Sequence, residues 1–378
     1  MIHKALTSSS NSKINLLGLT YEELEKNLIL IGEKKYKARQ IFKWLHKKRI
    51  YAIDEMTDLS KTLRENLKQS FFIKVPEVLF EEISEDKTRK WVVSVGNDNH
   101  IELVMIPEGA RSTLCISSQV GCAVDCSFCA TGKEGFSRNL TLDEIIGQLW
   151  VAENSFKDST KKNITNVVMM GMGEPLLNFE NVVNAMNIMM DDNAYGLSKR
   201  KVTLSTSGLV PQLDKLSTVS NASLAISLHA PNDELRNDLV PINKKYPINM
   251  LLESAKKYMD NCGDKRVMTI EYILINEIND SLLLANELAD LLKNIPCKIN
   301  LIPFNPFPKS NYKRPSGNRV KRFQEILKKN GYITTIRSTR GDDIFAACGQ
   351  LVGQVKDITR KQERTGKINK IDALNISS

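Results

Sequence analysis

The chain has 378 residues, 42% of them hydrophobic, enough to bury a sizeable core as one large domain with appendages. Its 53 Lys and Arg against 44 Asp and Glu leave a formal charge of +9 and a pI near 9.0, which favours a polyanionic partner and equally suits an ordinary basic cytosolic protein. No apolar run approaches the ~20 residues of a membrane span, and the opening MIHKALTSSSNSK lacks the apolar core of a signal peptide, so a cytoplasmic protein without a membrane anchor is expected.

Residues 1–14 read as a disordered polar start. From 15 to 74 the pattern is helical: Thr20 and Glu23 form a candidate capping box, and Leu24, Leu28 and Ile31 follow at i, i+4, i+7 spacing. Inside this small domain Lys34, Lys35, Lys37, Arg39, Lys43, Lys47, Lys48 and Arg49 gather without one acid, interleaved with Tyr36, Phe42 and Trp44. That pattern suits a face that contacts phosphates, and a solvated helix surface fits it as well. Between 75 and 108 the runs WVVSV and IELVMI flank the turn-like Gly96-Asn97-Asp98-Asn99 and predict a short antiparallel β extension.

From 109 to 340 strands and helices alternate. STLCISS, NVVMMGMG, KVTLSTSG, ASLAISLHA, RVMTIEYILI and KINLIPFN each read as a buried strand, and amphipathic stretches separate them, the first opened by Thr141 and Glu144 as a second capping box. Six βα units argue for a parallel sheet of the α/β class, and the pattern alone does not choose between a curved partial barrel and a flat doubly wound sheet. Residues 341–378 form a C-terminal segment ending in a polar tail with the basic stretch RKQERTGK.

In a cytoplasmic setting the seven cysteines read as thiols, ligands or redox groups rather than a disulfide framework. Cys122, Cys126 and Cys129 form the pattern C-x-x-x-C-x-x-C within GCAVDCSFCATG, in the loop after the first strand of the βα series. Three thiolates leave one iron of a [4Fe-4S] cluster open, whereas a structural zinc or a closed cluster wants a fourth Cys or His, and none follows at ligand spacing. A zinc site completed by a distant residue and cysteines that bind nothing are the alternatives. Gly171-Met172-Gly173-Glu174-Pro175 closes the second strand, and Ser205, Ser227, Leu228, His229 and Asn305 lie at the ends of later strands. Parallel folds place their reactive groups there. Read singly, GMGEP is also a strand-ending turn and His229 a structural histidine; Cys115 and Cys348 each read as a small buried hydrophobe. Cys262 and Cys297 have no motif partner and are assigned to structure.

The cysteine spacing, with the aromatic Phe128 between the second and third cysteines, resembles the cluster motif of the radical S-adenosylmethionine (SAM) superfamily. GMGEP resembles the element that holds the amino group of SAM there, a task for which a carboxylate among glycines is suited by charge and by close backbone approach. With Cys115, Cys348 and the stretches LLGLTYEELEKNLILIGEKKYKARQIF, MTDLSKTLRENL and DDIFAACGQL, the chain resembles the RlmN and Cfr family over nearly its whole length. Phe345 departs from that family, which carries a smaller or acidic residue at this position. The resemblance implies a partial (β/α)6 radical SAM barrel with an N-terminal helical RNA-binding domain, an antiparallel β extension and a C-terminal extension. It implies a [4Fe-4S] cluster on Cys122, Cys126 and Cys129, two SAM per turnover, and SAM contacts from Gly173, Glu174, Ser205, Ser227, Leu228, His229 and Asn305.

Family chemistry assigns the catalytic roles. Carbon 2 of adenine lies between two ring nitrogens and is too electron-poor to attack the methyl of SAM. The resemblance implies that Cys348 takes a methyl first, that a radical made from a second SAM activates this S-methyl group for addition to the ring, that Glu102 removes the ring proton, and that Cys115 attacks the Cys348 sulfur to release the product and leave a Cys115–Cys348 disulfide. In IELVMI, Glu102 is expected to be partly desolvated, the alternative being a strand residue facing water. The implied substrate is an adenine of 23S rRNA and, for some members, the adenine next to the anticodon of tRNA. An electron donor such as flavodoxin or ferredoxin and a monomeric state complete the expectation. The alternatives are a Cfr-like carbon-8 methyltransferase that confers antibiotic resistance, and a non-catalytic iron-sulfur RNA-binding redox sensor, which would need neither GMGEP nor two remote cysteines.

Overall fold

The computed structural model describes residues 13–156, 164–308 and 310–353. Of the start expected to be disordered over 1–14, residues 1–12 lie outside the described residues, as does the basic tail, whereas Ile14 is in a strand paired with Phe71.

The helical body comprises α1 (Tyr21–Leu30), α2 (Lys37–Lys43), a π-helical turn (Trp44–Lys48) that continues it, and α3 (Lys61–Ser70). The expected capping box is present: the Thr20 N–H donates to Glu23 at 2.9 Å and the Glu23 N–H donates to Thr20 Oγ1 at 3.2 Å. Leu24 and Leu28 face inward and are fully buried. Ile14–Asn15 pairs with Phe71–Phe72 and ties the two ends of this body together.

One ten-stranded sheet organises the rest. Its strands are β1 (Glu77–Ile83), β2 (Arg89–Ser94), β3 (His100–Glu108), β4 (Arg111–Cys115), β5 (Asn166–Met169), β6 (Val202–Thr206), β7 (Ser223–Ser227), β8 (Met268–Leu274), β9 (Cys297–Pro303) and β10 (Thr334–Ile336). They lie side by side in sequence order, antiparallel from β1 to β4 and parallel from β4 to β10. The β extension is therefore a continuation of the barrel sheet, with Val104 of β3 opposite Cys115 of β4.

Six helical crossovers join the parallel strands: α5 (Leu142–Asn154), α6 (Phe179–Met190), α7 (Val210–Val219), α9 (Ile248–Asn261) preceded by the short α8 (Asp233–Leu239), α10 (Leu282–Leu291) and α11 (Gly317–Lys329), with one four-residue helix, α4 (Ala130–Lys133), in the cysteine loop. This is the partial (β/α)6 barrel implied by the resemblance, closed off by a short seventh strand, β10, that the sequence pattern did not mark. Parallel strands covered on both faces read as unbroken apolar runs, and all seven residues of β8 are buried. β1 and β10 remain the two edges, so the barrel is open.

The helical body shares the main apolar core with the barrel. It packs along α5, where Asn15 Nδ2 donates to Asp143 at 2.8 Å, Asn154 Nδ2 donates to the Tyr51 hydroxyl at 2.6 Å, and the Tyr51 and Trp150 rings meet edge to face at 5.4 Å. A smaller apolar cluster around Phe128, Phe304 and Phe307 lies beneath the cysteine loop. No helix among the described residues is long and apolar enough to cross a membrane.

Candidate active site

Loops at the carboxyl ends of the parallel strands converge on one cavity. After β4 the chain forms Gln119–Gly121, which pairs antiparallel with Phe136–Asn139 and ties the base of the loop that carries Cys122, Cys126 and Cys129. All three cysteines line the cavity, with Phe128, Gly173, Glu174, Ser205, Ser227, His229 and Cys348. Burial pushes the Cys122 thiol up to about 12, with Cys129 adding to the effect, and Cys126 rises well above its usual value for the same reasons. Crowded, buried thiols hold negative charge only against a cation, and ligation by iron supplies one.

Among the described residues no three His, Cys, Asp or Glu side chains are arranged around a single ion. The three thiols, the carboxylate of Glu174 and the hydroxyls facing them form a donor set for a cluster and a zwitterionic cofactor.

Gly173 has φ +100, and a Cβ there would meet the Gln119 backbone nitrogen at 2.8 Å, so only glycine fits. Glu174 is 3% exposed; its Oε1 accepts the Leu176 N–H at 3.1 Å and its Oε2 the Ser207 N–H at 2.8 Å. Burial raises its pKa while those donors oppose the rise. The Thr206 and Ser207 hydroxyls add to these donors, and Glu174 lines the cavity, where its negative charge can face an ammonium. The hydroxyls of Ser205 and Ser227 lie 3.3 Å apart on adjacent strands.

His229 combines the two roles open to it in the sequence: it lines the cavity, and its Nδ1 accepts the Ile273 N–H at 3.1 Å. Burial, helped by Arg236, pushes its pKa down to about 3, so the ring is neutral and the hydrogen bond assigns its proton to Nε2. Leu228 is buried and is not among the residues that line the cavity; its N–H donates to Glu271 O at 3.1 Å. Asn305 lines a neighbouring cavity shared with Cys348 and Arg337; its Nδ2 donates to Cys348 O at 3.4 Å and its Oδ1 accepts from Thr339 at 3.2 Å.

The segment bearing Cys348 is pinned to the cysteine loop and to β3. The Ala130 N–H donates to Gly349 O at 2.8 Å, the Thr131 hydroxyl to Leu351 O at 2.7 Å, and the Val352 N–H to Glu102 Oε2 at 3.1 Å. Glu102 is 4% exposed on a strand with neighbours on both sides, so it does not face water. Cys115 is buried at the end of β4; burial pushes it up to about 12 and Cys348 adds to this, with Arg337 acting against both. All seven cysteines are free thiols, and Cys262 and Cys297 pack against the main core.

Three residues at the site carried no sequence signal. Arg236, fully buried on α8, donates to Leu228 O at 2.9 Å, Ser207 O at 2.7 Å, Ser227 O at 3.1 Å and Asn243 Oδ1 at 2.6 Å, and so gathers two cavity-lining loops. Arg337 follows β10, where no strand was expected, and Cys348 first, then Glu271, hold it protonated. Glu271 aligns in register with Ser227, Asn300 and, through Asn300, Thr335. Its Oε1 accepts from Asn300 at 3.0 Å, while Oε2 is buried without a partner. Their spacing in sequence gives no clue because the sheet, not the local chain, brings them together.

Known proteins share this architecture. Residues 14–73 match the family described as ribosomal RNA large subunit methyltransferase N-terminal domain, and residues 116–289 match the radical SAM superfamily. The chain is 59% identical over 354 residues to the dual-specificity RNA methyltransferase RlmN of Marinobacter nauticus, covering 93% of this chain and 96% of that protein. It is 58% identical over 369 residues to the protein of the same name from Pseudomonas fluorescens, covering 97% of each. A radical SAM methyltransferase from Sphaerobacter thermophilus superposes with a TM-score of 0.84 at 43% identity, over 89% of this chain and 99% of that one.

Proposed function

Because the chain belongs to the RlmN family of radical SAM methyltransferases, we propose that it methylates carbon 2 of an adenine in 23S rRNA and of the adenine beside the anticodon in certain tRNAs. The observation that supports this most is the convergence on one cavity of Cys122, Cys126 and Cys129 with Glu174, Ser205, Ser227, His229 and Cys348.

When bound, a [4Fe-4S] cluster and SAM supply a 5′-deoxyadenosyl radical. Cys122, Cys126 and Cys129 would hold the cluster. Glu174 pairs with the ammonium of SAM, and Gly173 lets the backbone approach. Ser205, Ser227, His229 and Asn305 hold its remaining polar groups. Cys348 accepts the methyl group on sulfur, forming a C–S bond as the sulfonium bond breaks. Glu102 takes the ring proton after the carbon joins the adenine. Cys115, as a thiolate, would then attack the Cys348 sulfur and break its bond to the new methylene carbon, which takes up a proton to become the methyl group; the one electron left over from radical addition would return to the oxidised cluster, and the Cys115–Cys348 disulfide would await an external reductant.

The helical body, with its row of lysines, holds the RNA by its phosphates, and the target adenine must leave its stack to reach a buried cavity. A flavodoxin or ferredoxin is the fitting electron donor, and a monomer in the cytoplasm the fitting state. Mass spectrometry of adenosines after anaerobic reaction with ribosomal RNA tests the reading: 2-methyladenosine is expected, 8-methyladenosine would identify a Cfr-like enzyme, and no methylated product would point to a sensor.

A further inference from the structure

The cations of the helical body are not equivalent. Tyr36, Arg39, Gln40, Lys43, Trp44 and Lys48 line an open cavity of 560 Å³, closed on one side by Asp58. That is the size of a small-ligand site, where ~300–1,000 Å³ is usual. Phe42, from the same stretch, is 1% exposed and belongs to the core, whereas Tyr36 is 57% exposed.

Two of the cations are held in place. The Trp44 Nε1–H donates to Asp58 at 2.5 Å, and the Lys48 ammonium sits 3.3 Å from the centre of the Trp44 ring. Arg39 Nε donates to Asn193 at 3.1 Å, which leaves its terminal N–H groups to the cavity. Side chains ordered beforehand lose less rotamer freedom on binding an anion. Among the described residues Arg39, Lys43 and Lys48 form no ion pair. The single acid, Asp58, already accepts from Trp44.

We propose that this cavity is a subsite for one unpaired nucleotide of the RNA substrate, its phosphate held by Arg39, Lys43 and Lys48 and its base stacked on Tyr36. The inference rests on RNA being the substrate. Asn193 lies between the end of α6 and the start of β6, towards the amino ends of the parallel strands and away from the cysteine loop. The nucleotide read here is therefore a different one from the adenine that reacts, and the contact selects RNA with an unpaired base at a fixed distance from the target.

Binding of a 23S rRNA fragment containing the target adenine to the full chain, followed by fluorescence anisotropy from 50 to 200 mM salt, tests the subsite. Lys43→Gln and Lys48→Gln each lower the slope of log affinity against log salt by about one. Tyr36→Ala weakens binding by about five-fold or more at every salt concentration with an unchanged slope, and Tyr36→Phe restores it, since stacking needs the ring and not the hydroxyl. Wild-type affinity in Tyr36→Ala, or unchanged slopes in both lysine variants, overturns the subsite. Wild-type protein that binds no RNA overturns instead the reading on which it rests.

Discussion

Glu102 and Val352 are joined by a hydrogen bond of 3.1 Å although 250 residues separate them in the chain. The bond links the carboxylate proposed as base to the segment that carries Cys348, so one side chain both anchors that segment and is placed near its chemistry.

The two roles of Glu102 can be separated. Glu102→Gln keeps an acceptor for the Val352 N–H and loses the base; methylation of RNA should fall by two orders of magnitude or more, the ~10²–10⁴ of general base catalysis, with the denaturation midpoint unchanged. Glu102→Ala leaves a buried N–H without a partner and should in addition lose about 1–3 kcal/mol of stability. Urea denaturation alongside product analysis distinguishes the variants. Full methylation by Glu102→Gln would remove Glu102 from the role of base.

Arg236 tests whether the cofactor loops depend on one guanidinium. Arg236→Gln withdraws donors from Leu228 O, Ser207 O and Ser227 O and removes a charge that burial brings down to about 10. Each orphaned buried acceptor costs about 1–3 kcal/mol, and removing a buried cation that spans several acceptors should cost about 3 kcal/mol or more in all. Anaerobic equilibrium dialysis should report weaker SAM binding by the folded variant. Unchanged SAM affinity would confine Arg236 to folding.

His46 makes stability depend on pH. It is fully buried against the rings of Phe42 and Tyr195, neither ring nitrogen has a partner, and burial pushes its pKa from 6.5 to about 3. Below pH 6.5 the unfolded chain therefore binds a proton that the folded chain refuses, so stability falls as the pH drops from 6.5 towards 3. At pH 5 this group costs about 2 kcal/mol, at 1.36 kcal/mol per pH unit. Chemical denaturation between pH 7 and 5 should show a loss about 2 kcal/mol smaller in His46→Phe than in the wild type, the remainder including that of His229, which burial also pushes down to about 3. An identical pH dependence in the two proteins would contradict this account.

Phe345 has φ +49, a left-handed conformation unfavourable for a bulky side chain. The turn is held by the Phe345 N–H to Asp342 O at 3.2 Å, the Ala346 N–H to Gly341 O at 2.8 Å, and the Ser84 hydroxyl to Asp343 at 2.5 Å, so neighbouring contacts keep the strain in place. Among the described residues its ring packs with neither apolar cluster. Asn tolerates this conformation, and Phe345→Asn should raise stability by about 1 kcal/mol, seen as a higher denaturant midpoint at constant slope. A lower midpoint would mean that the ring contributes more than its backbone strain costs.

Features legible in the sequence share a short range. The Thr20–Glu23 box lies within one turn, the cysteine motif within one loop, and six parallel strands read as apolar runs because both their faces are covered. β10 escaped because three residues, Thr334–Ile336, are too few to set a period, and Arg337 escaped with it. The basic stretch around α2 was visible as charge, but only packing separates Phe42 in the core from Tyr36 at the surface.

By itself the sequence determined most of the elements, their order and the cysteine motif, because hydrogen bonds within a turn and side-chain periodicity are properties of neighbouring residues. Only the tertiary structure decided that Glu102 meets Val352, that Arg236 gathers the loops after β6 and β7, and that Glu271 lies in register with Ser227 and Asn300. Those meetings depend on strand pairing and loop packing across tens to hundreds of residues, and no local pattern encodes which distant groups the sheet will set side by side.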